Sequence, residues 1–528
     1  MMRFTRTRLL LGFAALLAWA QFRESGDPKL SAHLTLEAEP RMPVRVYLFK
    51  EGRPFRLSPV DAMLPLRIDL LYRERMWVRS ADPTTLEVTA TDQSHFFLLK
   101  GRGEYELPQG KYRVEAYRGL FYVPLSIEFE LKAGESRRIA LPMKNWLGAE
   151  SREWLSGDDH IHLVRAKQDD PIFLAWLQAE DLSVALFLQL QRQMDAAVQY
   201  GFGAEAEAKA SGYSIRSGHE SRSDLFGHIN LLGGREPIRP LSVGGVYSNA
   251  PEGFPYPSFL FRKGRAVGAL TGYAHFDGGA HFGEGAPPRM RDAKNHSTLL
   301  MDLALGNIDF IEVFQAGYLN DERWYELLNA GFEIRGIAGS DFPAAFGGRG
   351  LKGRFIPLLG PERTLVRAKA GASAYEAWAK GLRTGEVIVT NGPVVRLQME
   401  GGKVVVSAQF FRPLTRLEVI ADGHVIAAKE GDGSATQLTG VFAVPESTVW
   451  VAARVSAATE EDEPAIRAHT NPQFLRHQVA NRAERTDLAD DFAKEIDFYK
   501  TQPRLLDQKE QRQMFFREAD AALSKLRQ

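Results

Sequence analysis

Two histidines one residue apart, His160 and His162 in the stretch GDDHIHL from Gly157 to Leu163, have a type and spacing that suit metal chemistry. In β conformation such a pair projects to one side of the strand, so both imidazoles can reach one ion. A lone His-x-His is common by chance, but seven of the 12 histidines fall between positions 160 and 296. Further candidates sit at comparable places: Glu220 ends GYSIRSGHE, His275 ends AVGALTGYAH and Asp341 ends EIRGIAGSD. In a parallel βα barrel, ligands gather at the carboxyl ends of strands, where the connecting loops open. His228 begins GHINLLG instead, and reaches the same rim if 226–233 folds back antiparallel on the strand ending at Glu220.

The chain has no cysteine, so disulfides and thiolate ligands are excluded and any metal must be held by His and carboxylate. That donor set suits zinc, manganese or iron. Four histidines and two carboxylates exceed what one tetrahedral structural site requires, which argues for two divalent ions. Two ions close together lower the pKa of a shared water and polarise an ester or phosphoester oxygen. The competing reading is a rim of hydrogen-bonded polar residues that holds no metal.

These residues need a scaffold. With 528 residues the chain exceeds one core, since domains settle at about 100–200 residues. From 30 to 147, TLEVTATD and KYRVEAYRG alternate apolar and polar positions, which predicts a β-sandwich-like domain. From 150 to 393, runs such as SVALFLQLQ, NIDFIEVFQ and GRFIPLLG alternate with helix-length connections, which predicts βα units around a largely parallel sheet or barrel. STLLMDLALG and DERWYELLNAGF are the clearest helices there, the second stopped by Gly331. A second small β domain is expected over 394–470, with a hairpin turning at Asp422-Gly423. The tail 485–528 reads as helical, with one apolar face of Leu488, Phe492, Ile496 and Tyr499, a break at Pro503, and a second face of Phe515, Ala519, Leu523 and Leu526, both suited to docking on the rest of the chain.

The 66 basic and 66 acidic residues cancel, so no global field draws the protein to nucleic acid or an anionic membrane. No nucleic-acid partner is therefore expected. The start MMRFTRTRLLLGFAALLAWAQ has three arginines and then an apolar run shorter than the about 20 residues of a membrane span. It reads as a signal peptide over 1–20, hence a periplasmic or secreted protein, with an uncleaved membrane anchor as the alternative.

The order His-x-His, Glu, His, His, Asp along alternating strands resembles the PHP (polymerase and histidinol phosphatase) metallohydrolase superfamily. The phrases NIDFIEV, RWYELLNAGFEIRGIAGSD, LRTGEVIVTNGP and AHTNPQFL look closer still to its CehA/McbA, carbaryl-hydrolase-like branch, and the resemblance covers about 150–475. It implies an α/β fold, a distorted (β/α)7 barrel flanked by the two β domains and the helical tail, with a polynuclear metal site hydrolysing ester-type bonds. By resemblance, His160 and His162 match the opening pair, Glu220 the bridging carboxylate, His228 and His275 the middle histidines and Asp341 the closing aspartate. Many relatives close with Asp-x-His, whereas this chain runs Asp341-Phe342-Pro343, which favours two ions, or one, over three. His219 competes with Glu220 as a ligand, although neighbouring strand side chains point apart.

Around this set, HFDGGAHFGEG (275–285) is either a substrate loop in which His281 donates a proton to the leaving oxygen, or a solvated loop holding Asp277 and His281. His296 reads as a helix-start residue. Glu312, polar in an apolar strand, needs a partner if buried, either to orient a ligand histidine or as a structural hydrogen bond. Asn391 serves a turn or faces substrate, the turn being favoured. Asp158 and Asp159 match no ligand of the family pattern and read as a solvated or supporting approach to the histidines. The expectation is a metal-dependent hydrolase acting on a small-molecule phosphoester, carboxyl ester or carbamate. The rival is a non-catalytic secreted protein whose β domains bind a glycan or polymer. The sequence sets no oligomeric state.

Overall fold

The computed structural model describes residues 31–57, 64–65, 76–82, 85–90, 95–192, 194–223, 225–244, 254–275, 298–315, 317–342, 358–460, 463–501 and 509–528. The expected signal peptide, the stretch with Asp277 and His281, His296 and Pro503 lie outside them. The described residues divide into two compact units, one within 31–144 and one formed by 119–121 and 145–528. Among them no helix is long and apolar enough to cross a membrane.

In the first unit, Ser31–Glu39 runs between Ser136–Pro142 and Arg102–Pro108 in a three-stranded sheet. A larger antiparallel sheet carries Leu125–Leu131, Gly110–Tyr117, Pro43–Lys50, His95–Lys100 and Thr85–Ala90 in that spatial order. Alternate residues of both sheets, Leu34 and Leu36 from one and Val46, Val114 and Phe129 from the other, share one apolar core.

The second unit is built on strands β1 (Trp154–Ile161), β2 (Val184–Arg192), β3 (Tyr213–Ser223), β4 (Gly227–Leu232), β5 (Leu270–Tyr273), β6 (Phe310–Gln315) and β7 (Arg335–Ala338). Helices α1 (Asp170–Ala179), α2 (Pro257–Ala266), α3 (Leu299–Leu305) and α4 (Asp321–Asn329) fall in the connections after β1, β4, β5 and β6. Strand β1 pairs parallel with β2, and β2 with β3. The β3–β4 hairpin is antiparallel, with Glu220 opposite Asn230 and Arg222 opposite His228, the return fold that His228 requires. Strand β4 is antiparallel to β5, and β5, β6 and β7 follow in parallel. Phe342, just beyond β7, then bridges Ile161 in parallel: the His162 amide donates to the Phe342 carbonyl at 2.7 Å and the Phe342 amide to the His160 carbonyl at 3.0 Å. The pairings thus return to β1 after seven strands. The chain is a strand-rich mixed α/β protein, as its alternating segments predict.

Beyond the ring come β8 (Arg363–Arg367), α5 (Ala374–Thr384) and β9 (Val387–Thr390), with β8 antiparallel to both β1 and β9. Over 394–470 the expected hairpin forms, Leu414–Ala421 against His424–Glu430, with Asp422 and Gly423 at φ 46° and 83°. This stretch belongs to the same compact unit as the ring, and Ile466–Thr470 pairs directly with β9. Alternation marks a half-buried strand without saying which sheet it extends, so the sequence suggested a separate domain. Asn391 accepts from the Arg467 amide and donates to the Ala465 carbonyl, the bracing use of a turn residue. The tail helices, α6 (Arg482–Thr501) and α7 (Lys509–Leu526), bury Tyr499 and Phe515 against Phe226, and Phe515 also against Tyr256, with Phe492 in the same core. Each such side chain contributes roughly 1.5–3 kcal/mol by leaving water, which explains why these stripes dock on the parent chain.

Candidate metal centre

Every expected ligand stands at one rim of the strand ring. His160 lies near the end of β1 with His162 just past it, Glu220 lies near the end of β3, His228 begins β4, and His275 and Asp341 follow β5 and β7. Two groups have donor atoms within 4.8 Å of one another: His160, Glu220 and His275, and His160, His162 and Asp341. His160 belongs to both. His228 Nδ1 lies 2.9 Å from Glu220 Oε1, which places the sixth candidate beside the same carboxylate. His219 belongs to neither group, as expected of a neighbour on the opposite strand face. Burial, then the charge of Arg239, pushes its pKa down to about 3.

Hydrogen bonding shows what these donors are set up to do. His162 Nδ1 faces the Leu188 carbonyl at 3.0 Å, which only accepts, so Nδ1 carries the proton. His160 Nδ1 faces Glu312 Oε1 at 2.9 Å and donates to it. Both Nε2 atoms are then lone-pair donors when the rings are neutral, and they point at each other across 3.0 Å. His162 Nε2 also lies 3.2 Å from Glu220 Oε2 and 3.3 Å from Asp341 Oδ1, and His160 Nε2 is 3.3 Å from that same oxygen. Glu220 Oε1, His275 Nε2 and Asp341 Oδ1 are buried and make no hydrogen bond. Convergent lone pairs and ionised oxygens repel unless positive charge lies among them. The residues therefore fit divalent cations of the kind that imidazole and carboxylate bind.

The ionisation states agree. Burial opposes charge on His160, yet the carboxylates of Glu312 and Asp341 hold its pKa well above the ordinary 6.5. Burial likewise opposes charge on His162, and Asp341 and Glu220 raise it. Glu220 stays ionised in spite of burial because Arg222, whose Nε donates to Oε2 at 2.7 Å, and His228 stabilise the anion. Two candidates, His275 and Asp341, also adopt left-handed backbone at φ 37° and 48°. Such conformations cost a non-glycine residue about 1–3 kcal/mol and cluster at functional sites.

Of the two readings of Asp158 and Asp159, the supporting one fits the structure, while the partners that Asp158 uses were not legible in the sequence. Asp158 and Asp159 are fully buried, which corrects the solvated reading. Asp158 Oδ1 accepts from the His160 amide at 3.1 Å and the Ser340 amide at 2.9 Å, while Oδ2 accepts from the Ser340 hydroxyl at 2.6 Å and the Gly360 amide at 2.8 Å. Burial raises its pKa, and these four bonds oppose the rise. Gly339 is required for clearance: a Cβ there would lie 2.5 Å from Asp159 Oδ1, 2.9 Å from His160 Cβ and 3.1 Å from Glu312 Oε1. Gly339→Ala is expected to cost about 1–3 kcal/mol by overpacking and to weaken metal binding. Denaturant unfolding and metal titration check this, and a variant identical to wild type in both would remove Gly339 from the site.

Fold and site together define a strand-rich α/β protein with a buried, thiolate-free imidazole and carboxylate cluster able to hold divalent metal. No family model matches the chain, and no curated protein matches it. Among solved structures it is similar to Endonuclease Q in complex with a 27-mer duplex substrate with an abasic lesion at the active site, at 14% identity and TM-score 0.27 over 43% of this chain and 56% of that one. It is also similar to the lesion-specific endonuclease PfuEndoQ from Pyrococcus furiosus, at 14% identity and TM-score 0.25 over 44% of this chain and 56% of that one. The chain thus spans little more than half the length of each. One of these proteins holds a duplex substrate, and this corrects the expectation of a small-molecule substrate and no nucleic acid. Zero net charge averages over the whole surface, whereas partner choice follows local charge, so composition alone was too coarse to exclude that class.

Proposed function

We propose that this protein is a metal-dependent hydrolase of ester-type bonds, built on a distorted (β/α)7 barrel of PHP type. The observation that carries the reading is the convergence of His160 Nε2 and His162 Nε2 on the carboxylates of Glu220 and Asp341 in a buried rim, with no proton donor between them in the neutral state. The ring of seven strand pairings supports the barrel, and the phrases around it support the CehA/McbA branch. Two ions fit best, because the donors form two groups and the two oxygens of Glu220 face one histidine of each, Oε2 toward His162 and Oε1 toward His275. When bound, such ions activate water and polarise the ester oxygen. The chain's own residues divide the remaining work. His160, His162 and Asp341 would hold one position, and Glu220, His275 and His228 the other, since the single free lone pair of His160 serves one ion only. Arg222 keeps Glu220 ionised, and His281 or bulk solvent would supply the proton to the leaving oxygen. The substrate class is phosphoester, carboxyl ester or carbamate, and the N-terminal leader pattern supports export to the periplasm or beyond.

Elemental analysis of purified protein, beside a panel of aryl phosphates, carboxylates, carbamates and a duplex nucleic acid, tests the reading. Bound divalent metal and metal-dependent turnover are expected; a metal-free, inactive protein would overturn it. Metal uptake without turnover of any ester would favour a binding protein.

The pH dependence has a defined sign. His160 and His162 have pKa values above 6.5 in the metal-free fold, so an ion must displace protons there and its affinity is expected to rise with pH above 6.5. For the chelated protein the sign reverses. A histidine with a raised folded pKa contributes stability that is present below 6.5 and is lost as pH rises through the folded value. Glu220 and Asp341, whose pKa values are lowered, lose their contribution only at acid pH and do not affect this window. Melting curves of loaded and chelated protein are therefore expected to diverge as pH increases from 6.5, and parallel curves would contradict the assignment.

A further inference from the structure

We propose that Glu312 is the positioning residue of this centre, a single buried carboxylate that orients His160 and His275 together and so sets how tightly the site takes up a divalent cation. The inference rests on the metal reading above. Glu312 lies in β6 and is 1% exposed, in a strand whose neighbours are apolar. Burying a carboxylate there is costly unless its oxygens are fully used. Oε1 accepts from His160 Nδ1 at 2.9 Å, and Oε2 accepts from the His275 backbone amide at 2.5 Å. Asn230 Nδ2, from β4, adds a contact to Oε1 at 3.3 Å, and Gln315 Nε2 one to Oε2 at 3.4 Å.

Each contact has a consequence for ion binding. The bond to Nδ1 reaches the far side of the His160 ring and fixes the tautomer that leaves Nε2 free to bind. The bond to the His275 amide braces that residue in its left-handed conformation, φ 37°, just where the chain leaves β5. Glu312 belongs to neither ligand group itself, so it acts through the ligands. His160 has one free lone pair and serves one ion, but the same carboxylate also braces His275 of the other group, so it reaches both ion positions. Only a carboxylate offers two acceptor atoms for this task; a glutamine of the same size offers one.

The test is Glu312→Gln, with Co2+ titrated into chelator-stripped protein and followed by its visible absorption, beside Thr364→Val as a comparison. Thr364 Oγ makes buried bonds to the Ala338 amide and carbonyl at 2.7 and 3.2 Å and touches no ligand, so it reports a loss of buried polar contact alone. Glu312→Gln is expected to weaken uptake of both ions by about 10–100-fold, and Thr364→Val to leave it at the wild-type level. Wild-type affinity in a folded Glu312→Gln protein, or equal weakening in both variants, would overturn the proposal. Should Glu312→Gln fail to fold, ring 15N shifts of the wild-type protein decide: His160 must keep its proton on Nδ1 while Nε2 responds to metal, and the reverse assignment refutes the role. Absence of any uptake by wild type would sink the metal reading itself, an outcome distinct from the other two.

Discussion

His162→Ala is expected to purify with at least one divalent ion fewer than the wild-type protein and with ester hydrolysis reduced by more than about a hundredfold, because loss of a direct ligand exceeds the 10–100-fold effect of an outer partner. The side chain is held by its Nδ1 bond to the Leu188 carbonyl, and its Nε2 stands between Glu220 and Asp341 at 3.2 and 3.3 Å. Alanine removes the donor that separates two buried carboxylates, so the metal-free variant should also be less stable than metal-free wild type. His219→Ala is the matched comparison. His219 is as buried as His162, but belongs to neither donor group. It should lose stability and keep its metal. Full metal content in His162→Ala would remove the central claim, and equal metal loss in both variants would reduce the effect to general unfolding.

Much of this cluster was legible in the sequence, for a physical reason. Ligands at strand ends follow apolar runs, so the phrases ending in Glu220, His275 and Asp341 carry position as well as residue type. Even the apparent exception, His228, was solved by a return strand, which the Glu220–Asn230 register shows. What the sequence could not display were contacts made across the ring. Nothing near Ser340 or Gly360 announces that both donate to a carboxylate 182 and 202 residues earlier. Glu312 stood out as a polar residue in an apolar run, but its partners lie on β1 and after β5. The fold shows the same split. Helix stripes and hairpin turns were readable locally, whereas the joining of 394–470 to the ring unit depends on the pairing of Ile466–Thr470 with β9.

Asp158 therefore supports the second large prediction. Asp158→Ala leaves three buried amides without an acceptor, those of His160, Ser340 and Gly360, while the Ser340 hydroxyl keeps the His160 carbonyl at 3.3 Å. At about 1–3 kcal/mol for each unsatisfied group, the expected loss is about 3 kcal/mol or more. Asp158→Asn should cost less, about 1–3 kcal/mol. The amide oxygen can still accept from His160 and Ser340, but the amide nitrogen would face the Gly360 N–H, donor against donor. The two variants also separate stability from site geometry. Asp158 ties the backbone of the candidate ligand His160 to Ser340, the residue before Asp341, so both variants should weaken metal uptake, the alanine more. Denaturant unfolding of the chelated proteins measures the first effect and metal titration of the folded variants the second. If Asp158→Ala unfolds like wild type, the four bonds do not hold the closure between β1 and the end of β7; if it is destabilised but binds metal normally, the closure does not set the ligand positions.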